Sequence, residues 1–86
     1  MTEAQAVILS RMAAGATLTQ SCLGDRLWSL RDDPWTVFDD LSPRQLLAAG
    51  LIALQRPGSL EADRADAYGL TPLGHAALQN WRARSV

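Results

Sequence analysis

The sequence predicts a small α+β domain in the order helix, hairpin, helix, hairpin, helix over residues 1–86. Three observations predict it. Thr2 with Gln5 and Ser42 with Gln45 have capping-box spacing, in which a hydroxyl accepts from one free helical N–H and an amide returns to another. Two other stretches alternate apolar and polar side chains with the period of a half-buried strand. Glycines stand where the helical periods stop, at Gly15 and Gly50, and glycine adopts the left-handed C-cap conformation at little cost.

The first helix starts at Thr2 and carries Ile8, Leu9, Met12 and Ala13 on one face. "ATLTQSCLGDRLWSLRD" reads as a hairpin. Ala16 and Leu18 share one side of its first arm, Trp28 and Leu30 share one side of its second, and Gly24-Asp25 supplies turn chemistry. "PWTVFDD" follows Asp32 and Asp33. It is too short to classify by period, and a single helical turn and a short extended segment both fit it.

"LSPRQLLAAG" is the clearest helix. Ser42 is the expected N-cap, Pro43 suits the first helical position, Leu41 and Leu46 are spaced as a hydrophobic staple, and Gly50 is the expected stop at positive φ. "LIALQ" and "DAYGL" form the arms of a second hairpin with a long polar tip, "RPGSLEADRA". Thr71 caps the last helix, whose inward stripe is Gly74, Ala77, Leu78 and Trp81. The expected core comprises Ile8, Leu9, Met12, Leu18, Trp28, Leu30, Leu46, Leu47, Ile52, Leu54, Tyr68, Leu70, Leu78 and Trp81, closed within one chain.

Composition narrows the function. Apolar residues make up 48% of the chain and charged residues 20%, which suits one folded domain rather than disorder. No apolar run approaches the roughly 20 residues of a membrane span, so no membrane partner is expected. The single cysteine, Cys22, excludes an internal disulfide and fits a cytoplasmic setting. With one His and one Cys there is no metal-ligand spacing, and no glycine-rich phosphate loop is present. Neither an enzyme nor a cofactor is expected. All eight basic residues are Arg, suited to bidentate pairing with phosphate, yet the net charge is −1, where nucleic-acid domains are usually basic.

From Gln45 to Leu78, the pieces "LLAAGLI", "ADRADAYGLT" and "PLGHAAL" resemble the second half of a winged-helix DNA-binding domain of the MarR type. The first half departs from that family, because a hairpin around Leu18–Leu30 stands where it has a helix. The resemblance implies a winged-helix-like domain acting as a small transcriptional regulator. Residues 42–49 would lie in the major groove of double-stranded DNA and residues 56–65 would form the wing. Arg44 and Gln45 would read base edges, Arg56 and Arg64 would contact phosphates, and a homodimer is implied. Against this, Glu61, Asp63 and Asp66 lie on or beside the wing.

The second reading is a protein-binding module on the same scaffold, comparable in size and acidity with small phage-encoded inhibitors such as anti-CRISPR proteins. Tryptophans in small domains usually belong to the core, and one left outside would mark a partner site. The distribution of charge separates the two readings. Arg44, Arg56 and Arg64 on a face free of Asp39, Asp40 and Glu61 would favour DNA, and acidic groups on that face would favour protein.

Overall fold

The computed structural model describes residues 1–21, 27–58 and 65–84. Among the described residues there are three helices and one five-stranded antiparallel sheet: α1 (Glu3–Ala13), β1 (Leu18–Gln20), β2 (Trp28–Leu30), β3 (Asp33–Phe38), α2 (Leu41–Ala48), β4 (Ile52–Arg56), β5 (Asp66–Leu70) and α3 (Pro72–Arg84). The strand order is β3-β2-β1-β5-β4. The two expected hairpins are thus one sheet, joined where β1 pairs with β5. "PWTVFDD" resolves as extended: most of it is β3, a further strand at the sheet's edge, so the simple helix–hairpin alternation is not kept.

Local chemistry explains most of these boundaries. The capping box at Thr2 is complete, with Gln5 N donating to the Thr2 hydroxyl at 3.2 Å and Thr2 N donating to Gln5 Oε1 at 2.9 Å. The expected start of α2 is corrected. Asp40 is its N-cap, without a side-chain bond to the helix's free N–H groups, while Ser42 and Pro43 lie buried inside the first turn. The Asp39 carboxylate takes the role expected of Ser42 and accepts from Ser42 N at 2.7 Å. A carboxylate outcompetes a hydroxyl for a free helical N–H because the bond is charge-assisted.

The core lies between the sheet and the helices. Leu18 sits in register with Leu30 on one side and Tyr68 on the other. The Trp28 and Tyr68 rings meet at 5.1 Å with a 46° tilt, a favourable aromatic geometry. Ile8, Leu9 and Met12 of α1, Leu46 of α2, Ile52 of β4 and Leu78 of α3 complete the cluster, with Leu70 packed against it. Thr19 and Ser29 pair through their hydroxyls on the opposite face, as the period-two alternation requires.

Three expected core members are displaced outward. Leu47 is 39% exposed, because α1 and β4 cover only the side of α2 that carries Ser42, Pro43 and Leu46. Leu54 is 49% exposed, since β4 is an edge strand and only its first residue, Ile52, is buried. Trp81 is half-buried near the end of α3.

The residues that carried the family resemblance lock one junction. Gly50 ends α2 at φ 77°. Leu51 N donates to Leu46 O at 3.0 Å, and Thr71 N donates to Leu51 O at 3.1 Å. The Thr71 hydroxyl donates to Gly50 O at 2.6 Å and accepts from Gly74 N at 3.0 Å. A Cβ at Gly74 would stand 2.1 Å from Leu51 O, so only glycine lets α3 approach this backbone. "GLI", "LT" and the following "PLG" are therefore parts of one hydrogen-bonded corner between α2, the second hairpin and α3.

Candidate functional site

Of the four sequence-derived contact residues, the structure describes three; Arg64 lies outside the described residues. Arg44 projects from the first half of α2, and its Nε sits 2.9 Å from Asp40 Oδ2 one turn earlier. The other oxygen of Asp40 accepts from Trp28 Nε1 at 3.0 Å. Asp40 thereby joins β2 to α2 and holds Arg44 along the helix. Gln45 is exposed, and its Oε1 accepts from Nε2 of the buried Gln5 at 2.7 Å. That bond fastens α2 to α1 and replaces the second capping box.

Arg56 ends β4 opposite Ala67 and is exposed. Two residues on, Gly58 N donates to the Asp66 carboxylate, which closes the described base of the hairpin with an acid. Arg44 is accordingly exposed beside the Asp40 carboxylate, and Arg56 is exposed on the hairpin whose described base Asp66 closes. The face that the DNA reading requires carries both signs of charge.

A different residue stands out. Trp35 is 91% exposed, while Trp28 is buried in the core. Its position follows from the register of β3. Leu30 pairs with Asp33 and Ser29 with Val37, so Pro34, Trp35 and Thr36 fall between consecutive partners as a bulge. The bulge is braced. The Thr36 hydroxyl donates to Asp33 Oδ2 across Trp35, and Arg11 Nη2 of α1 sits 3.5 Å from the same oxygen. The hydroxyl of Thr36 first, and the Arg11 guanidinium with it, hold the Asp33 carboxyl below its ordinary value of 3.8. Val37, on the same strand, is 53% exposed.

Burying an indole is among the largest single apolar gains available to a domain of this size. This chain leaves one in solvent on a strand tied back at its base. The composition of "PWTVF" suggests core. The signal against that was Asp33-Pro34, since proline within strands is confined to edges and bulges.

Among the described residues no three His, Cys, Asp or Glu side chains stand close enough to hold a metal ion. No helix of the described residues is long and apolar enough to cross a membrane. No family model matches the chain. No curated protein and no solved structure matches it either.

Proposed function

We propose that the chain is a protein-binding module on a winged-helix-like scaffold, with Trp35 as its principal contact. The supporting observation is the 91% exposure of Trp35 on a braced edge bulge. Tryptophan is enriched among the few residues that dominate protein interfaces, and its indole adds contact area with little conformational entropy to lose. An edge strand also offers backbone groups to an extended partner. The winged-helix-like description draws on the corner built from Gly50, Leu51, Thr71 and Gly74, and on the hairpin of β4 and β5 that follows α2.

The second reading is a DNA-binding regulator. It is favoured by the exposure of Arg44 on α2 and Arg56 at the base of the hairpin, the two elements that the resemblance would place on DNA. The ion pair of Arg44 with Asp40 is solvent-exposed, and such pairs contribute little, so phosphate would compete for the guanidinium.

One paired experiment separates them. The protein, Trp35→Ala and an Arg44→Ala/Arg56→Ala double variant are assayed for duplex-DNA retention across a salt titration and for cross-linking to protein in extracts of the source cells. The protein-binding reading expects weak DNA retention of flat salt dependence and cross-links lost with Trp35. A steep salt slope, lowered by roughly one unit for each arginine removed and indifferent to Trp35, supports the DNA reading and contradicts the first.

A further inference from the structure

The residues around Trp35 and the far end of the molecule are complementary. Four of the chain's nine carboxylate residues, Asp32, Asp33, Asp39 and Asp40, flank the Trp35 bulge. Arg11 pairs with Asp33 and Arg44 with Asp40, which leaves Asp32 and Asp39, outside these two ion pairs, as the other carboxylates that flank Trp35 in sequence, with Arg31 as the nearest cation in sequence. Ser42 N–H donates to the Asp39 carboxylate and lowers its pKa from the ordinary 3.8.

At the end of α3 lies an open groove of 540 Å³ lined by Met1, Ala77, Asn80, Trp81 and Arg84. That volume is within the roughly 300–1,000 Å³ typical of small-molecule sites and accommodates one indole. Met1, Ala77 and Trp81 give it apolar and aromatic wall, Asn80 and Arg84 give it polar wall, and the charged side chain among them is basic. The last turn of α3 carries Arg82 and Arg84, and α3 contains no acidic residue. Glu3, in the first turn of α1, is the carboxylate nearest in sequence to the Met1 wall, and the two guanidinium groups outnumber it.

The bulge and the groove cannot meet within one molecule. Asp33 is tied to Arg11 in the last turn of α1, whereas the groove is walled by Met1, just ahead of its first turn. At 1.5 Å per residue the two lie about 15 Å apart along α1.

We infer that the partner fitting Trp35 is a second copy of this chain, docked head to tail. The Trp35 indole of one molecule enters the α3 groove of the next against Trp81, and Arg84 faces Asp32 and Asp39. The two surfaces differ, so the contact is heterologous and propagates into chains or a ring. A single indole with its flanks buries less than a standard interface, which places the contact in the weak class, below about 1,200 Å². The inference rests on the reading of Trp35 as a contact residue.

The test uses two surface variants and their mixture. Trp35→Ala keeps the groove and lacks the indole, and Arg84→Glu keeps the indole and spoils the groove. Sedimentation is followed up to about 1 mM chain, where a weak association becomes visible. The expected result is a mass that grows with concentration and shrinks with added salt for the unmodified chain. Each variant alone stays monomeric, and an equimolar mixture of the two forms a dimer that grows no further. A monomeric unmodified chain throughout the range overturns the inference, and so does association by Trp35→Ala alone or a mixture that stays monomeric. Trp35-dependent cross-links to another protein from a chain that is monomeric throughout leave Trp35 as a contact residue and remove only its self-partner. Indifference of both assays to Trp35→Ala removes the two together.

Discussion

The hydroxyl of Thr36 reaches back across Trp35 to the carboxylate of Asp33. Arg11 of α1 approaches the same oxygen at 3.5 Å, so the strand that presents the exposed indole is fastened to itself and to the nearest helix. A residue held in place before binding loses less freedom on binding, which is how preorganisation raises affinity. Thr36→Val should therefore leave the fold standing, with stability changed by about 0.5–1.5 kcal/mol. It should weaken any contact made through Trp35. A urea midpoint measured beside cross-linking yield checks this, and a Thr36→Val chain that binds as well as the unmodified chain would show that the brace does not matter.

The corner between α2 and α3 should be intolerant. Gly74→Ala forces a Cβ against the Leu51 carbonyl oxygen, and overpacking of this kind costs about 1–3 kcal/mol. Thr71→Val removes the cap of α3 and should cost about 0.5–2 kcal/mol. Gly50→Val places a β-branched residue at φ 77°, where it is strained although no close neighbour opposes it. Urea melts of the three variants provide the check.

Adjacent leucines of α2 should behave differently. Leu46 is 1% exposed and Leu46→Ala should cost about 2–5 kcal/mol. Leu47→Ala should cost far less, since this side chain faces solvent over part of its surface. Equal losses for the two would show that α2 is rotated from the position described.

Acid should destabilise the chain at a defined place. Asp39 and Asp33 have folded pKa values below the ordinary 3.8. Their contribution is present above the unfolded value and is lost as pH falls below about 4 toward the folded values. Asp39→Asn keeps an acceptor for Ser42 N–H but no longer titrates. Its stability should therefore fall less steeply below pH 4 than that of the unmodified chain, as read from urea midpoints at several pH values.

The sequence made the periodic parts of this fold legible. Ile8, Leu9 and Met12 repeat at helical spacing, Leu18 and Leu30 alternate with polar neighbours, and Gly50 and Thr71 mark ends by their own chemistry. What stayed hidden depended on which element covers which. Leu47 and Leu54 are as apolar as Leu46 and Ile52, and only the placement of α1 and the edge position of β4 separate them. The α2 start was misread because Asp39, three residues before Ser42, supplied the stronger acceptor. Nothing local reveals that Gln5, forty residues earlier, donates to Gln45 and ties α2 to α1. Trp35 was hidden by its own composition, since an indole beside Val37 and Phe38 resembles core until the register of β3 turns it outward.

The most direct measurement is fluorine NMR of the chain labelled with 5-fluorotryptophan, with the Trp35 signal assigned from Trp35→Phe. Trp28, buried on β2 against Tyr68, serves as the internal reference. On addition of unlabelled protein extract from the source cells, or of excess unlabelled chain, the Trp35 signal should shift or broaden while that of Trp28 stays in place. Duplex DNA at low salt should leave Trp35 unchanged. A Trp35 signal that never moves with protein, from a chain whose spectrum responds to duplex DNA, would contradict the account.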